Sequence, residues 1–216
     1  MKARILALVI GAMLVAVSAT AQTVYDNGPT DGNTYAWTIN FGYAVSDTFN
    51  VGADNTTVTG ANFAMWLFPG DTLETAELSI TSSENGGTSF FDQTVNFIQS
   101  NCVLNQSQYG SYNVCLESSS FSGPILNSGT YWLTLQNATV NTGDPVYWDQ
   151  NSGPSSASEN TIGTIPSESF TVLGVSTSTT NSTTFDSVPE PDSITLLGSG
   201  AIAIFGFVGA LRRELF

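Results

Sequence analysis

Between residues 35 and 175, apolar and polar side chains alternate in short runs, and turn-forming residues separate the runs. In residues 130–136, Tyr131, Leu133 and Leu135 fall on one face while Trp132, Thr134 and Gln136 fall on the other. That is the period-two pattern of a half-buried strand. The same pattern predicts strands over 35–41, 45–51, 62–68, 76–81, 94–98, 112–116 and 169–175. Turn-formers such as Asp31-Gly32-Asn33, Pro69-Gly70-Asp71, Asn85-Gly86-Gly87 and Asn127-Ser128-Gly129 lie between them. No stretch of this body has a helical period. Many short strands with frequent turns predict an all-β fold, an antiparallel β-sandwich of jelly-roll type.

The two ends of the chain follow other rules. Lys2 and Arg4, an apolar run over 5–17 and the small residues Ala19 and Ala21 read as a secretory signal peptide, cleaved before Gln22. As a helix that run is only about 20 Å long, short of a bilayer core. At the other end Val188-Pro189-Glu190-Pro191 precedes an uncharged, mostly apolar stretch over 194–211 and then Arg212-Arg213. The stretch spans about 27 Å as a transmembrane helix. The positive-inside rule keeps the arginines cytoplasmic and the body outside, in agreement with the N-terminal signal.

A Pro-Glu-Pro motif, a membrane helix and a basic tail, in that order over residues 188–216, resemble the PEP-CTERM sorting domain of bacteria that make exopolysaccharide. The resemblance implies recognition of Pro189, Glu190 and Pro191 by an exosortase, a transpeptidase-like membrane protease, and then release or transfer to the cell exterior. A C-terminal anchor that is never cut is the plainer alternative. The body is similar to β-sandwich ectodomains found attached to this signal, through its segments at 47–49, 66–71, 129–137 and 147–153. That similarity implies a fold and an address, and no activity. The expected organisation is a signal peptide over 1–21, an ectodomain over 22–175, a stalk over 176–187 and the sorting signal over 188–216. Nine of the twelve stalk residues are Ser or Thr, a composition that also suits a final edge strand.

Every Lys and Arg lies in those ends, so residues 22–187 carry 15 Asp and Glu against no Lys, Arg or His. Such a body is repelled by nucleic acid and by anionic lipid surfaces. Its carboxylates must be solvated, hydrogen-bonded to backbone amides or neutralised by a cation. The acidic excess serves equally for plain solubility. Without His, a serine-type triad and a His-ligated zinc centre are excluded. Cys102 and Cys115, the only cysteines, are expected to form a disulfide once exported.

Three groups of residues are candidates for chemistry. Tyr147, Trp148, Asp149, Gln150 and Asn151 combine aromatic rings with polar side chains in a predicted loop, which suits stacking and hydrogen bonding to a sugar, though the rings could equally fill the core. Trp37 and Trp66, inside strand patterns, are expected in the core. Asp26, Asn27, Asp31 and Asn33 offer candidate calcium ligands, and Asx turns explain the same residues without an ion. Paired carboxylates could in principle hydrolyse glycosides, but no one pair stands out. The leading expectation is therefore a non-enzymatic cell-surface or matrix protein, structural or adhesive within exopolysaccharide. A lectin-like carbohydrate-binding module comes second and a glycoside-active enzyme third.

Overall fold

The computed structural model describes residues 21–32, 35–105 and 111–176. The signal peptide up to residue 20, Asn33, the stalk from residue 177, the Pro-Glu-Pro motif and the expected membrane helix lie outside them. No helix among the described residues is long and apolar enough to cross a membrane.

The described residues form strands β1 (Gln22–Asp26), β2 (Ala36–Thr38), β3 (Ala44–Val51), β4 (Thr56–Leu67), β5 (Leu73–Ser83), β6 (Gly86–Asn96) and β7 (Ile98–Leu104). They continue with β8 (Asn113–Ser120), β9 (Ile125–Leu126), β10 (Gly129–Val140), β11 (Tyr147–Asp149), β12 (Ala157–Glu159), β13 (Gly163–Ile165) and β14 (Phe170–Ser176). The strands build two antiparallel sheets, consistent with the expected sandwich.

One sheet runs β13-β12-β3-β10-β5-β6. In the other, β4 is central. Along one edge of β4, β14 pairs with residues 56–63 and β11 continues at Met65 and Trp66. β8 and the short β9 occupy the opposite edge. β1, β2 and β7 extend the sheet from β14, β11 and β8 respectively.

Alternation sets the core. Val45, Phe49 and Val51 of β3, Leu133 and Leu135 of β10, and Phe63, Met65 and Leu67 of β4 all belong to one buried cluster. The predicted strand over 35–41 is shorter than its pattern. Phe41 turns the chain at φ 56°, and the Tyr43 amide closes the turn on the Asn40 carbonyl at 3.1 Å. The first half of β6 and all of β7 carry no alternation, because both are largely exposed.

Cys102 of β7 and Cys115 of β8 are disulfide-bonded, as expected. The bond ties the exposed edge strand to a strand whose Cys115 lies in the core. In the chain-entropy model a bridge closing a loop of this size contributes about 3 kcal/mol. Replacing both cysteines by Ser is expected to lower the unfolding free energy in denaturant by about 2 to 3 kcal/mol. An unchanged midpoint would show that β7 is held by its backbone pairing alone.

Candidate functional site

The segment at 147–151 is where the structure departs most from expectation. It is a strand followed by a clamp, not an exposed loop. Tyr147 pairs with both Thr38 and Trp66, and Trp148 with both Trp37 and Met65. Sharing the register of Met65 turns Trp148 inward, where it is wholly buried. Its ring meets Phe63 and Phe170 at 5.4 and 5.5 Å, and its Nε1 donates to the Ser169 carbonyl at 2.9 Å. Trp148 has no face left for a sugar.

Gln150 and Asn151 are equally committed. The Gln150 side-chain oxygen accepts from Trp37 Nε1 at 3.2 Å. Asn151 donates from Nδ2 to the Asn27 carbonyl at 2.8 Å and accepts at Oδ1 from the Ser167 hydroxyl and the Gly153 amide. Gly153 must be glycine here, since a Cβ would strike the Asn27 carbonyl.

Of the candidate calcium ligands, Asp26 and Asn27 are also drawn into the framework. Asp26 Oδ1 accepts the Gly28 amide at 2.9 Å, an Asx turn. Asn27 is fully buried. Its Oδ1 accepts from the Tyr25 hydroxyl at 2.9 Å and the Ser155 amide at 3.3 Å, and its Nδ2 donates to the Glu168 carbonyl at 2.6 Å. Asn27 thus has no oxygen to spare for calcium. Among the described residues no group of three or more His, Cys, Asp or Glu is placed to hold a metal ion.

The tertiary structure instead assembles an aromatic cleft from residues far apart in sequence. On the outer face of the β4 sheet, Tyr35, Ala36, Trp66, Tyr112 and Tyr147 line a cavity of about 200 Å³. Trp66, expected in the main core, packs in a separate small cluster with Ala36, Ala64 and Val114. Tyr112 stands against Tyr147 at 5.4 Å and 77°, against Trp66 at 6.0 Å and against Phe68 at 4.8 Å. Burial, and then the hydrogen bond with Tyr112, push the Tyr147 phenol well above its ordinary value, so Tyr147 stays neutral at physiological pH. Parity in β4 is the one sequence signal for this face, since Ala64 and Trp66 alternate with Phe63, Met65 and Leu67.

Beneath the cleft lies Asp149, the register partner of Ala36. It is fully buried and accepts from Trp66 Nε1 at 2.5 Å and the Thr30 hydroxyl at 2.6 Å. Burial pushes its carboxyl up to about 6 against those hydrogen bonds, with the negative charge of Asp31 adding to the rise.

Three further carboxyls are also buried. Asp47 accepts the amides of Thr48 at 2.6 Å and Glu168 at 2.7 Å, yet burial still pushes it up to about 6. Glu168 is held where β11 and β14 meet end to end, and among the described residues neither of its carboxyl oxygens has a hydrogen-bond partner. Burial, then the charges of Asp47 and Asp149, drive it well above the carboxylate range. Glu117, between Gln99 and Phe63 in register, likewise has no hydrogen-bond partner among the described residues and is pushed by burial up to about 8. With no base in the body, the proton itself neutralises Glu117 and Glu168.

No protein-family model matches the chain, and no curated protein matches its sequence.

Proposed function

We propose that the chain is an exported, non-enzymatic protein of the cell surface or extracellular matrix, with a jelly-roll-like body delivered by an exosortase-type membrane protease. The cytoplasmic membrane holds it through helix 194–211 until processing near Pro189, Glu190 and Pro191 sends it outside, where it acts structurally or by adhesion within exopolysaccharide. The observation that carries this reading is the Cys102–Cys115 disulfide, a bond kept in oxidising compartments and lost in a reducing cytosol. The aromatic cleft favours the second reading, carbohydrate binding, with Tyr35, Tyr112 and Tyr147 as contacts in place of Trp148.

Sorting is tested directly in the native host. Wild-type protein is expected outside the cell, lacking its last residues. A variant with Ala at positions 189, 190 and 191 is expected to accumulate full length in the cytoplasmic membrane. Intact-mass measurement decides between processing and anchoring: wild-type protein ending at Phe216 in the membrane fraction would establish a permanent anchor instead.

A further inference from the structure

We propose that the cleft lined by Tyr35, Trp66, Tyr112 and Tyr147 is a subsite for an organic ammonium group, such as the amino group of a de-N-acetylated sugar or a quaternary ammonium. The inference gives a ligand chemistry to the adhesive reading above and does not depend on how the protein is sorted.

Two observations separate a cation from a neutral sugar. The first is ring geometry. A sugar face stacks on a ring that lies open to solvent, whereas Tyr112 and Tyr147 meet at 77° and, with Tyr35, Ala36 and Trp66, line a small cavity. Ala36 is the small residue of the lining, and a larger side chain there would take up part of a cavity of only about 200 Å³. A compact ammonium set against ring faces suits a cavity of this size, and aromatic boxes hold such groups by the attraction of the negative ring face for positive charge.

The second observation is charge. Residues 22–187 contain no Lys, Arg or His that could compete for the rings or repel a cation. Asp149 accepts from Trp66 Nε1 of the cleft and from Thr30, with Asp31 close enough to influence it. A buried carboxylate behind aromatic walls raises the local negative potential without reaching the ligand. An anion would meet the same potential as a barrier.

The test uses full-length protein purified in detergent and isothermal titration near neutral pH. Choline is compared with 3,3-dimethylbutanol, its uncharged isostere, and glucosamine oligomers with their N-acetylated counterparts. At least one cationic member is expected to bind at least about tenfold more tightly than its neutral partner, the scale of a partly desolvated cation–π contact. Preference for glucosamine oligomers identifies an amino sugar as the source, and preference for choline a quaternary ammonium. Tyr35→Leu, at a half-exposed wall, is expected to weaken binding about tenfold with an unchanged melting temperature, and Tyr147→Leu to weaken it similarly with only a small drop in melting temperature. Binding is expected to persist in about 0.5 M sodium chloride, which screens loose attraction to the acidic surface. Equal affinity for the neutral isosteres, no heat from either cation, binding that disappears in salt, or full affinity in both Tyr variants would each overturn the proposal.

Discussion

Raising the pH from about 5 to about 8.5 is expected to destabilise the body by several kcal/mol. A carboxyl whose folded value lies above its unfolded one keeps its proton in the native state after the unfolded chain has released it. Its stabilising contribution is therefore complete below the unfolded value and is lost as pH rises toward the folded value. Glu117 spans the window from 4.5 to about 8, Asp47 and Asp149 the window from 3.8 to about 6, and Glu168 extends well above its unfolded value. Each pH unit in such a window is worth about 1.4 kcal/mol. Glu117 lies one strand from the sheet edge, so with solvent screening its share is on the order of 3 kcal/mol.

The expectation contrasts with ordinary acid denaturation, in which hydrogen-bonded surface carboxylates lose their partners. Asp54, held below its usual value by the Ser128 amide and hydroxyl, is a group of that ordinary kind. Denaturant unfolding at the two pH values measures the slope. Glu117→Gln keeps the shape and removes the titration, so it should match wild-type protein near pH 5 and exceed it near pH 8.5. A wild-type stability that rises with pH would refute the assignment of bound protons to Glu117 and Glu168.

Trp148→Ala is expected to cost about 3 to 5 kcal/mol, the range for truncating a large aromatic side chain in a closed core. The ring fills the space between Phe63 and Phe170, and both would face a cavity after its removal. For a chain of this size the melting temperature should fall by roughly 10 °C. Tyr147→Leu, one residue away on the outer face, should move it far less. An unchanged melting temperature in Trp148→Ala would place the indole at the surface and restore the sugar-stacking loop.

The neighbouring residues 147 and 148 mark where sequence stops being sufficient. In β3 and β10 alternation is legible because the strands are long and Val45, Phe49, Leu133 and Leu135 repeat along one face. β11 has three residues, too few to display a period, and its tyrosine and tryptophan look alike as aromatic residues. Which one enters the core depends on pairing with Met65 and Trp66, more than 80 positions earlier. A one-residue slip would exchange their faces. The same non-local register takes Trp66 out of the main core and builds the cleft from four separate segments.

By itself the sequence determined the β class, the meeting of the two cysteines and the absence of any basic partner for 15 carboxylates, because composition and local period carry that information. Tertiary structure decided which carboxylates are buried. Asp54 takes an amide and a hydroxyl at the surface, while Glu117 and Glu168 are enclosed with nothing to bond to. Enclosure is set by strands that approach from distant parts of the chain, and it selects protonation over solvation because a bare charge costs more to bury than a proton costs to retain.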